Sequence, residues 1–465
     1  MGCEPDLWAK KWLEEQRAKG EKGLTVEKRK DGHHYVVWAT TEWVPETKKR
    51  KKISEYKGRL MPDGTLVKRK SRIRPKIRSV KQSGNATVLA KASEDIIGPL
   101  KREFPDCWAE LTALAWTRMT ATGVLKNAGD EWNMMDDVLD ARPTVNPKAL
   151  SSALREAGAD PAAQQRFFSS LPREGGRQMA VDLSVCFSKA KGAFMLKKGY
   201  NTKELEYPQF RTVFVCSTDT GRPVSMSAVP GNIRENTLSS TIREMDLSGK
   251  VLVMDSGFFS EPLMDELDSE RIDYIVSAKR NSLMYGRAGL GKEEFVWKGR
   301  AIRYGRTEVN GRYWYRFEDP VMRNEERVDA LSKGNRADSE RAGNILMCSS
   351  LFADPEKVYL MYKHREAVEQ GFKAGKGNLS MDRLYMQDDD GIRGHLFITF
   401  LALRIRTEMA LWIQAAGLSS KYSPEDVLRK YASVYVVRSP DMDLDYEIGA
   451  DVIRLDKEIG LNLYQ

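Results

Sequence analysis

The sequence is poor in the residues that form disulfide scaffolds, zinc sites and membrane spans. Its five cysteines are scattered without a C-x-x-C pair, and the 465 residues include only 4 histidines. This pattern argues against a disulfide framework and a zinc ribbon, and it predicts a reduced protein. The longest nearly apolar run, Leu396 to Leu403, has eight residues, whereas a membrane helix needs about 20. Because the N-terminus also lacks an apolar signal core, we expect a cytoplasmic protein with no membrane partner.

The chain does have a globular composition with an uneven charge. Hydrophobic residues make up 41% and charged residues 30% of the sequence, which at this length predicts about two to four domains. Residues 1–80 contain 22 Lys and Arg against 11 Asp and Glu, a net charge of +11, whereas the whole chain carries +9. Aromatic residues accompany the basic runs, including Trp43 and Tyr56. We therefore predict that this region contacts nucleic acid; a solvated basic tail is the alternative.

The first 171 residues predict a helix, a β-hairpin and then several helices. The helix is predicted over residues 5–20 and the hairpin, with basic edges, over residues 34–57. Helices follow between residues 85 and 171. Such helices after a basic region suit DNA binding, and they suit simple structural packing equally well. The pair His33–His34 is expected at the surface.

From residue 178 the pattern changes to strands and helices of an α/β fold. Strands are predicted over residues 178–185, 210–217, 223–230, 250–255, 272–277 and 344–348, with helices over 355–376 and 391–414. Three strands in succession, followed by alternating strands and helices, predict a mixed sheet covered by helices. Residues 282–343 are rich in Gly, Arg and aromatic residues and predict a β-rich insertion.

Two aspartates are predicted to lie at or near the ends of apolar strands. Asp182 belongs to the first strand of this region, and Asp255 closes the fourth. A carboxylate in that position is costly to desolvate unless it is paired or binds a cation. The alternative to a cation ligand is a residue that forms a turn or caps a helix. This alternative suits Asp255, which precedes Ser-Gly-Phe.

The predicted helix over residues 355–376 carries a polar stripe. Tyr362, Arg365, Glu369 and Lys376 lie at offsets 0, 3, 7 and 14. At about 100° per residue, all four fall within a stripe of about 60°. A solvated helix face is the ordinary explanation of such a stripe, and a functional face is the other.

Together the three acids predict a site for divalent cations. Asp182, Asp255 and Glu369 offer hard oxygen ligands, which suit Mg²⁺ with Mn²⁺ as a substitute. Two such ions would activate a water or a 3′-hydroxyl and stabilise the departing oxygen of a phosphodiester. Arg365 and Lys376 would then grip the flanking phosphates.

These residues resemble the signature of a known family. The run Tyr362-x2-Arg365-x3-Glu369-x6-Lys376, together with Asp255-Ser-Gly-Phe, is similar to the motifs of DDE transposases of bacterial and archaeal insertion sequences, in the insertion-sequence-four superfamily. Asp182 matches the family's first acid. The resemblance implies an RNase H-like catalytic core in which the three acids are catalytic and bind metal. It also implies that Tyr362, Arg365 and Lys376 contact the DNA backbone.

The resemblance also implies a domain organisation. The separation of Asp255 from Glu369 is 114 residues, and a β-rich insertion at this place is a feature of the family. In relatives this insertion contributes a tryptophan that holds a flipped base, so Trp297 and Trp314 are both candidates, with a buried core tryptophan as the alternative. The predicted ranges are 1–82 for a basic DNA-contacting region, 83–176 for a helical DNA-binding region, 177–281 and 344–420 for the core, 282–343 for the insertion, and 421–465 for a helical tail that could support dimerisation.

The function implied is metal-dependent DNA cleavage and strand transfer. The expected partners are double-stranded DNA, as terminal inverted repeats and target DNA, and a second copy of the chain in a homodimer on that DNA. Such a protein would be cytoplasmic and associated with the nucleoid. The alternatives are a metal-dependent nuclease on the same fold and a non-catalytic DNA-binding descendant of a transposase. His364 and His395 are interpreted as mainly structural, because metal-assisted phosphoryl transfer does not require a histidine base.

Overall fold

The structure is a computed structural model. It describes residues 4–44, 49–68, 77–120, 125–172, 176–188, 190, 192–198, 208–233, 241–242, 245, 247, 249–332, 341–365, 383–384, 386–439, 443–445 and 448–464. The chain divides into two compact units, Met1–Lys76 and Ile77–Gln465. Among the described helices, none combines the length and the apolar character that crossing a bilayer requires.

The first unit is a helix on a small antiparallel sheet. Its elements are α1 (Leu7–Ala18), β1 (Leu24–Lys28), β2 (His34–Val44), β3 (Lys49–Leu60) and β4 (Leu66–Val67), and the strand order is β1-β2-β3-β4. Helix α1 covers one face of the sheet, where Ala9, Val36 and Leu60 are buried with Trp8 and Trp12 packed against them. The predicted helix and hairpin are confirmed.

The prediction for His34 is wrong. His34 is only 3% exposed, because it lies on the face of the sheet that α1 covers. Its Nε2 accepts a hydrogen bond from the backbone N–H of Asp6 at 3.1 Å, and the Trp8 ring packs edge-on against it at 4.6 Å between centroids. Burial lowers the pKa of His34, so this histidine is a neutral part of the small core.

A long mixed sheet is the frame of the second unit. Its strands are β6 (Gln178–Ser188), β7 (Gln209–Ser217), β8 (Pro223–Pro230), β9 (Val251–Met254), β10 (Asp273–Ser277), β11 (Glu294–Trp297), β12 (Arg300–Val309), β13 (Arg312–Glu318), β14 (Asn344–Ser349) and β15 (Arg383–Leu384). The order is β11-β12-β13-β14-β10-β9-β6-β7-β8, with β15 beside β6. Strands β6, β7 and β8 are antiparallel to one another, whereas β6, β9 and β10 are parallel. The mixed sheet predicted from the sequence is therefore confirmed.

The predicted β-rich insertion continues this sheet. Strand β14 pairs with both β10 and β13, so β11–β14 form one antiparallel extension of the frame. The segment also contains a helix that its sequence pattern did not indicate, α9 (Pro320–Ser332), which follows α8 (Glu261–Ser269) along the chain. Asp319 starts α9, because its carboxylate accepts from the backbone N–H groups of Val321 and Met322.

The helices before the sheet share one hydrophobic core with it. They are α2 (Ser83–Ala92), α3 (Glu94–Glu103), α4 (Trp108–Thr120), α5 (Ala128–Met134), α6 (Pro147–Ala159) and α7 (Pro161–Ser170). Their buried side chains, such as Trp116 and Phe167, form a single cluster with Phe210 and Phe214 of β7 and with Phe397 of α11 (Asp389–Ala415). These helices therefore pack as part of the core of the second unit, and their predicted DNA binding stays a prediction.

Helix starts in this unit follow local sequence signals. Asn146 accepts from the N–H of Ala149 ahead of Pro147, and Asp160 accepts from that of Ala163 ahead of Pro161. A short polar acceptor followed by proline satisfies an otherwise unpaired N–H group and presets the first helical turn. These signals fix where α6 and α7 begin.

The C-terminal segment is helical only in part, which corrects the prediction of a helical tail. It contains α12 (Pro424–Tyr431) and α13 (Ala450–Glu458), but also β16 (Tyr435–Arg438) and β17 (Asp443–Asp445). Strand β16 pairs with both β17 and β5 (Ser79–Gln82). Strand β5 comes from a distant part of the chain. The sequence around β16 therefore contains no local pattern that predicts this pairing.

Candidate functional site

The register of two parallel strands brings Asp182 and Asp255 together. Strand β6 pairs with β9 so that Val181 lies opposite Met254. One residue further along both strands, Asp182 comes to lie beside Asp255. Neighbouring strands are about 4.8 Å apart, so continuing this register places the backbones of the two residues next to each other at the end of β9.

The two aspartates also share one side of the sheet. Ala180 and Val253 form a register pair, and side chains two residues apart on a strand point the same way. By this alternation, we expect the side chain of Asp182 on the same side of the sheet as Ala180, and that of Asp255 on the same side as Val253. The Val253 side chain belongs to the hydrophobic cluster that includes Tyr359 and Tyr362. Both aspartates are half-buried, which leaves them accessible to a small ligand.

Each carboxylate is held by a local hydrogen bond. The hydroxyl of Ser184 donates to Asp182 Oδ2 at 2.9 Å, and the backbone N–H of Gly257 donates to Asp255 Oδ1 at 2.9 Å. Asp255 therefore stabilises the turn that follows β9, in agreement with the alternative interpretation of this residue as a turn former. A carboxylate has about four lone-pair positions, so this bond leaves capacity to bind a cation.

The helix α10, described from residue 355 to residue 365, supplies a tyrosine and an arginine to the same side of the sheet. Tyr362 is 8% and Arg365 is 5% exposed, and the guanidinium carbon lies 5.0 Å from the centre of the Tyr362 ring. Both side chains are therefore buried, which rules out a solvated helix face as the explanation for this part of the stripe. His364, between them, is exposed.

The charges of Asp182 and Arg365 both act on the Cys216 thiol. Burial raises the pKa of the Cys216 thiol on β7, the charge of Asp182 raises it further, and the charge of Arg365 lowers it. Cys216 is paired with Ala180 in the β6–β7 register. An aspartate and a buried arginine thus influence the same point of the sheet.

Glu369 and Lys376 lie outside the described residues. Arg365 precedes Glu369 by four residues, and four residues span at most about 14 Å. The description resumes at Arg383–Leu384, which pair with Phe187 and Ser188 at the far end of β6. The described residues that flank this segment are thus Arg365 on one side and Arg383 on the other.

The chemistry of the described donors fits a hard divalent cation. Asp182 and Asp255 provide adjacent carboxylate oxygens, the ligands that Mg²⁺ and Mn²⁺ prefer. Within the described residues no group of three His, Cys, Asp or Glu side chains is gathered closely enough to hold a metal ion. Among the described residues, the two aspartates are thus the carboxylate donors that the strand register offers to such a cation.

The two candidate tryptophans lie in different surroundings. Trp314 is 3% exposed and packs against the Phe259 ring at 5.6 Å between centroids. Trp297 is half-buried and packs edge-on against Tyr359 at 5.4 Å, on the Tyr362 side of the sheet. The charged groups of Lys298, Arg300 and Lys363 lie 4.9, 5.6 and 5.8 Å from its ring centres.

His395 lies in the interior on α11. It is 9% exposed, and its Nδ1 is 3.3 Å from Nη2 of Arg118 on α4, whose Nη1 donates to Thr399. Burial, together with the charge of Arg118, holds the pKa of His395 well below its usual value. Burial also lowers the pKa of Arg118 to about 10. A neutral, enclosed imidazole of this kind agrees with the structural interpretation of His395.

This burial predicts a pH dependence of stability. The unfolded chain binds a proton at His395 below about pH 6.5, whereas the folded chain resists it, so the free energy of unfolding falls as the pH falls. Between pH 7.5 and 5.5 the expected loss from this group is about 1.4 kcal/mol. Urea unfolding of wild type and of His395→Gln at both pH values measures it. An equal loss in the two proteins would contradict the assignment.

Ser184 is a site residue that the sequence reasoning missed. Its hydroxyl holds Asp182, and it lies two residues further along the same strand. The alternation of side chains on β6 was a signal that could have identified it, because positions 182 and 184 of a strand face the same way.

Residues 180–405 of the chain match the family model of the transposase DDE domain. The matched range includes both aspartates, α10 and the segment with Glu369. The match supports a DDE transposase, hence a transposase function, a DNA-cleaving enzyme and DNA as the partner. No curated protein matches the chain.

Proposed function

We propose that this protein is a DDE transposase of the insertion-sequence-four superfamily, which cleaves DNA at the ends of an element and joins them to target DNA. The observation that carries the proposal is the register that sets Asp182 beside Asp255, on the side of the sheet where Tyr362 and Arg365 are buried. The order β8-β7-β6-β9-β10, with two antiparallel pairings followed by two parallel pairings, supports an RNase H-like core.

Asp182, Asp255 and Glu369 are the proposed metal ligands. Glu369 is within chain reach of Arg365, whose charge, like that of Asp182, acts on the Cys216 thiol. Mg²⁺ bound there would supply Lewis-acid stabilisation of the phosphodiester and lower the pKa of the attacking hydroxyl. Ser184 keeps the Asp182 carboxylate oriented, and Gly257 does the same for Asp255.

Arg365, Lys376 and Tyr362 are the proposed contacts to the DNA backbone. Arginine grips a phosphate through two parallel N–H donors, and the Tyr362 ring restricts where the Arg365 guanidinium can lie. A buried, preorganised cation beside the acids would position the scissile phosphate without further reorganisation. Lys376, eleven residues after Arg365, would extend this grip along the strand.

Trp297 is the better of the two candidates for holding a flipped base. It is half-buried and surrounded by Lys298, Arg300 and Lys363, whose charges attract a phosphate backbone. Trp314 is enclosed in the opposite face of the sheet, so it would have to leave its core to stack on a base. A transposase working on two element ends would act as a homodimer on DNA, in association with the nucleoid.

A strand-transfer assay tests the proposal against its nearest rival, a nuclease on the same fold. Pre-cleaved element ends with a free 3′-hydroxyl, a supercoiled target plasmid and Mg²⁺ are incubated with the full chain. We expect joined products that disappear when the terminal 3′-hydroxyl is replaced by hydrogen. Nicked plasmid without joined ends would favour the nuclease, and binding without cleavage would favour a non-catalytic descendant.

A further inference from the structure

The hairpin of the first unit extends well beyond the sheet that holds it. Strand β1 pairs with β2 only from His34 to Trp38, whereas the β2–β3 ladder continues to the pair Val44–Lys49. Residues 39–44 and 49–54 therefore form a two-stranded ribbon. At about 3.3 Å per residue the ribbon is about 20 Å long.

The ribbon has no cover on either side among the residues that the structure describes. Residues 40–43 and 50–56 are all exposed, including Trp43 at 57%, Ile53 at 38% and Tyr56 at 39%. A two-stranded ribbon alone in water is marginally stable, and large exposed apolar side chains of this kind mark interaction surfaces. These features make the ribbon a candidate interaction surface.

The two faces of the ribbon differ in charge. Paired residues point to the same side, so the pairs Trp43–Arg50 and Thr41–Lys52 share one face, which continues to Tyr56. We name this the basic face; its described members, residues 37, 39, 41, 43, 50, 52, 54 and 56, include two cations and no acid. The opposite face carries Lys51 with Glu42 and Glu55, and Lys57 donates to the Glu55 carboxylate at 2.7 Å, so the described charges of that face balance. Because of this difference in charge between the two faces, we expect the basic face to bind a polyanion.

We propose that the ribbon docks in the major groove of duplex DNA with its basic face toward the DNA. The inference rests on the proposed function, for which DNA is the partner. The major groove, about 12 Å wide, admits a two-stranded ribbon. Arg50 and Lys52 would neutralise phosphates at the groove edges, while Trp43 and Tyr56 supply apolar contact to the bases.

Neighbouring lysines on opposite faces provide a matched test. The full chain is titrated with a fluorescent duplex at several salt concentrations, as wild type, Lys52→Ala, Arg50→Ala and the control Lys51→Ala. We expect the slope of log Kd against log salt to fall by about one for Lys52→Ala and for Arg50→Ala, and to stay unchanged for Lys51→Ala. Dimethyl sulfate footprinting should show guanine N7, a major-groove atom, protected by wild type and exposed in an Arg50→Ala/Lys52→Ala variant.

The outcomes separate this inference from the proposed function. Equal effects of Lys51→Ala and Lys52→Ala, or no effect of either while wild type binds duplex, would overturn the ribbon assignment alone. Tighter binding of a single strand of the same length, lost in Trp43→Ala, would replace groove docking with base stacking. A wild-type chain that binds no DNA would contradict both proposals. Thermal unfolding curves that match wild type exclude misfolding of the variants.

Discussion

Replacement of Asp255 by asparagine is expected to abolish DNA cleavage. The amide keeps an oxygen that can accept from the Gly257 N–H, so the turn after β9 survives, but it removes the charge beside Asp182 that would hold the metal. We expect a loss of more than about 100-fold in cleavage rate, because even outer partners of metal ligands contribute 10- to 100-fold. Asp182→Asn and Glu369→Gln should behave in the same way. Gel-based cleavage of an element end in Mg²⁺ measures the rate.

The control for this experiment lies at the other end of the same parallel strands. Asp273 begins β10 opposite Val251 and accepts from the Ser350 hydroxyl at 3.2 Å. Asp273→Asn makes the same chemical change away from the proposed site, and its cleavage rate should equal that of wild type. All these variants should still bind duplex DNA with nearly wild-type affinity. Undiminished cleavage by Asp255→Asn would refute the assignment of the acids.

Adding one methyl group where α6 crosses α11 is expected to destabilise the second unit strongly. Gly158 of α6 and Gly394 of α11 lie at this crossing. A Cβ on Gly394 would overlap the backbone oxygen of Leu154, and a Cβ on Gly158 would overlap that of Asp390. Backbone cannot rotate away as a side chain can, so the helices would have to separate. We expect Gly394→Ala to lower the free energy of unfolding by about 3 kcal/mol, as measured by urea denaturation.

Gly289 is the matched control for that substitution. A Cβ at Gly289 would meet no atom within 4 Å, and its backbone lies outside the left-handed region. Gly289→Ala should change the free energy of unfolding by less than about 1 kcal/mol. If Gly394→Ala and Gly289→Ala changed the free energy of unfolding equally, the close approach of α6 and α11 would not be the reason for glycine at position 394.

Local patterns explain why so much of the second unit could be predicted from its sequence. The apolar run that ends in Asp255 suits a fully buried strand, and β9 is buried at all four of its positions. Caps such as Asn146 before Pro147 mark where helices begin. The chemistry of their side chains led to the hypothesis that Asp182 and Asp255 share a cation site. The register of β6 and β9 supports this hypothesis for these two acids.

The remaining features depend on contacts between distant parts of the chain. Strand β16 forms because β5, more than 350 residues earlier, offers it an edge, and no local pattern encodes that pairing. His34 is buried because α1 lies across its strand, although the alternation of β2 alone would have allowed either side. Arg118 reaches His395 across 277 positions. Trp314 is enclosed and Trp297 is half-buried because they lie on opposite faces of the sheet. The spacing of the two residues in the sequence does not indicate which face is the more enclosed.

The most direct test of the shared cation site is crystallographic. Crystals of the full chain with element-end DNA are grown in Mn²⁺, and anomalous differences are collected at the manganese absorption edge. We predict a peak within coordination distance of both Asp182 and Asp255, with a Glu369 oxygen as a further ligand. Manganese bound elsewhere, with the two aspartate carboxylates turned away from any common ion, would contradict the account.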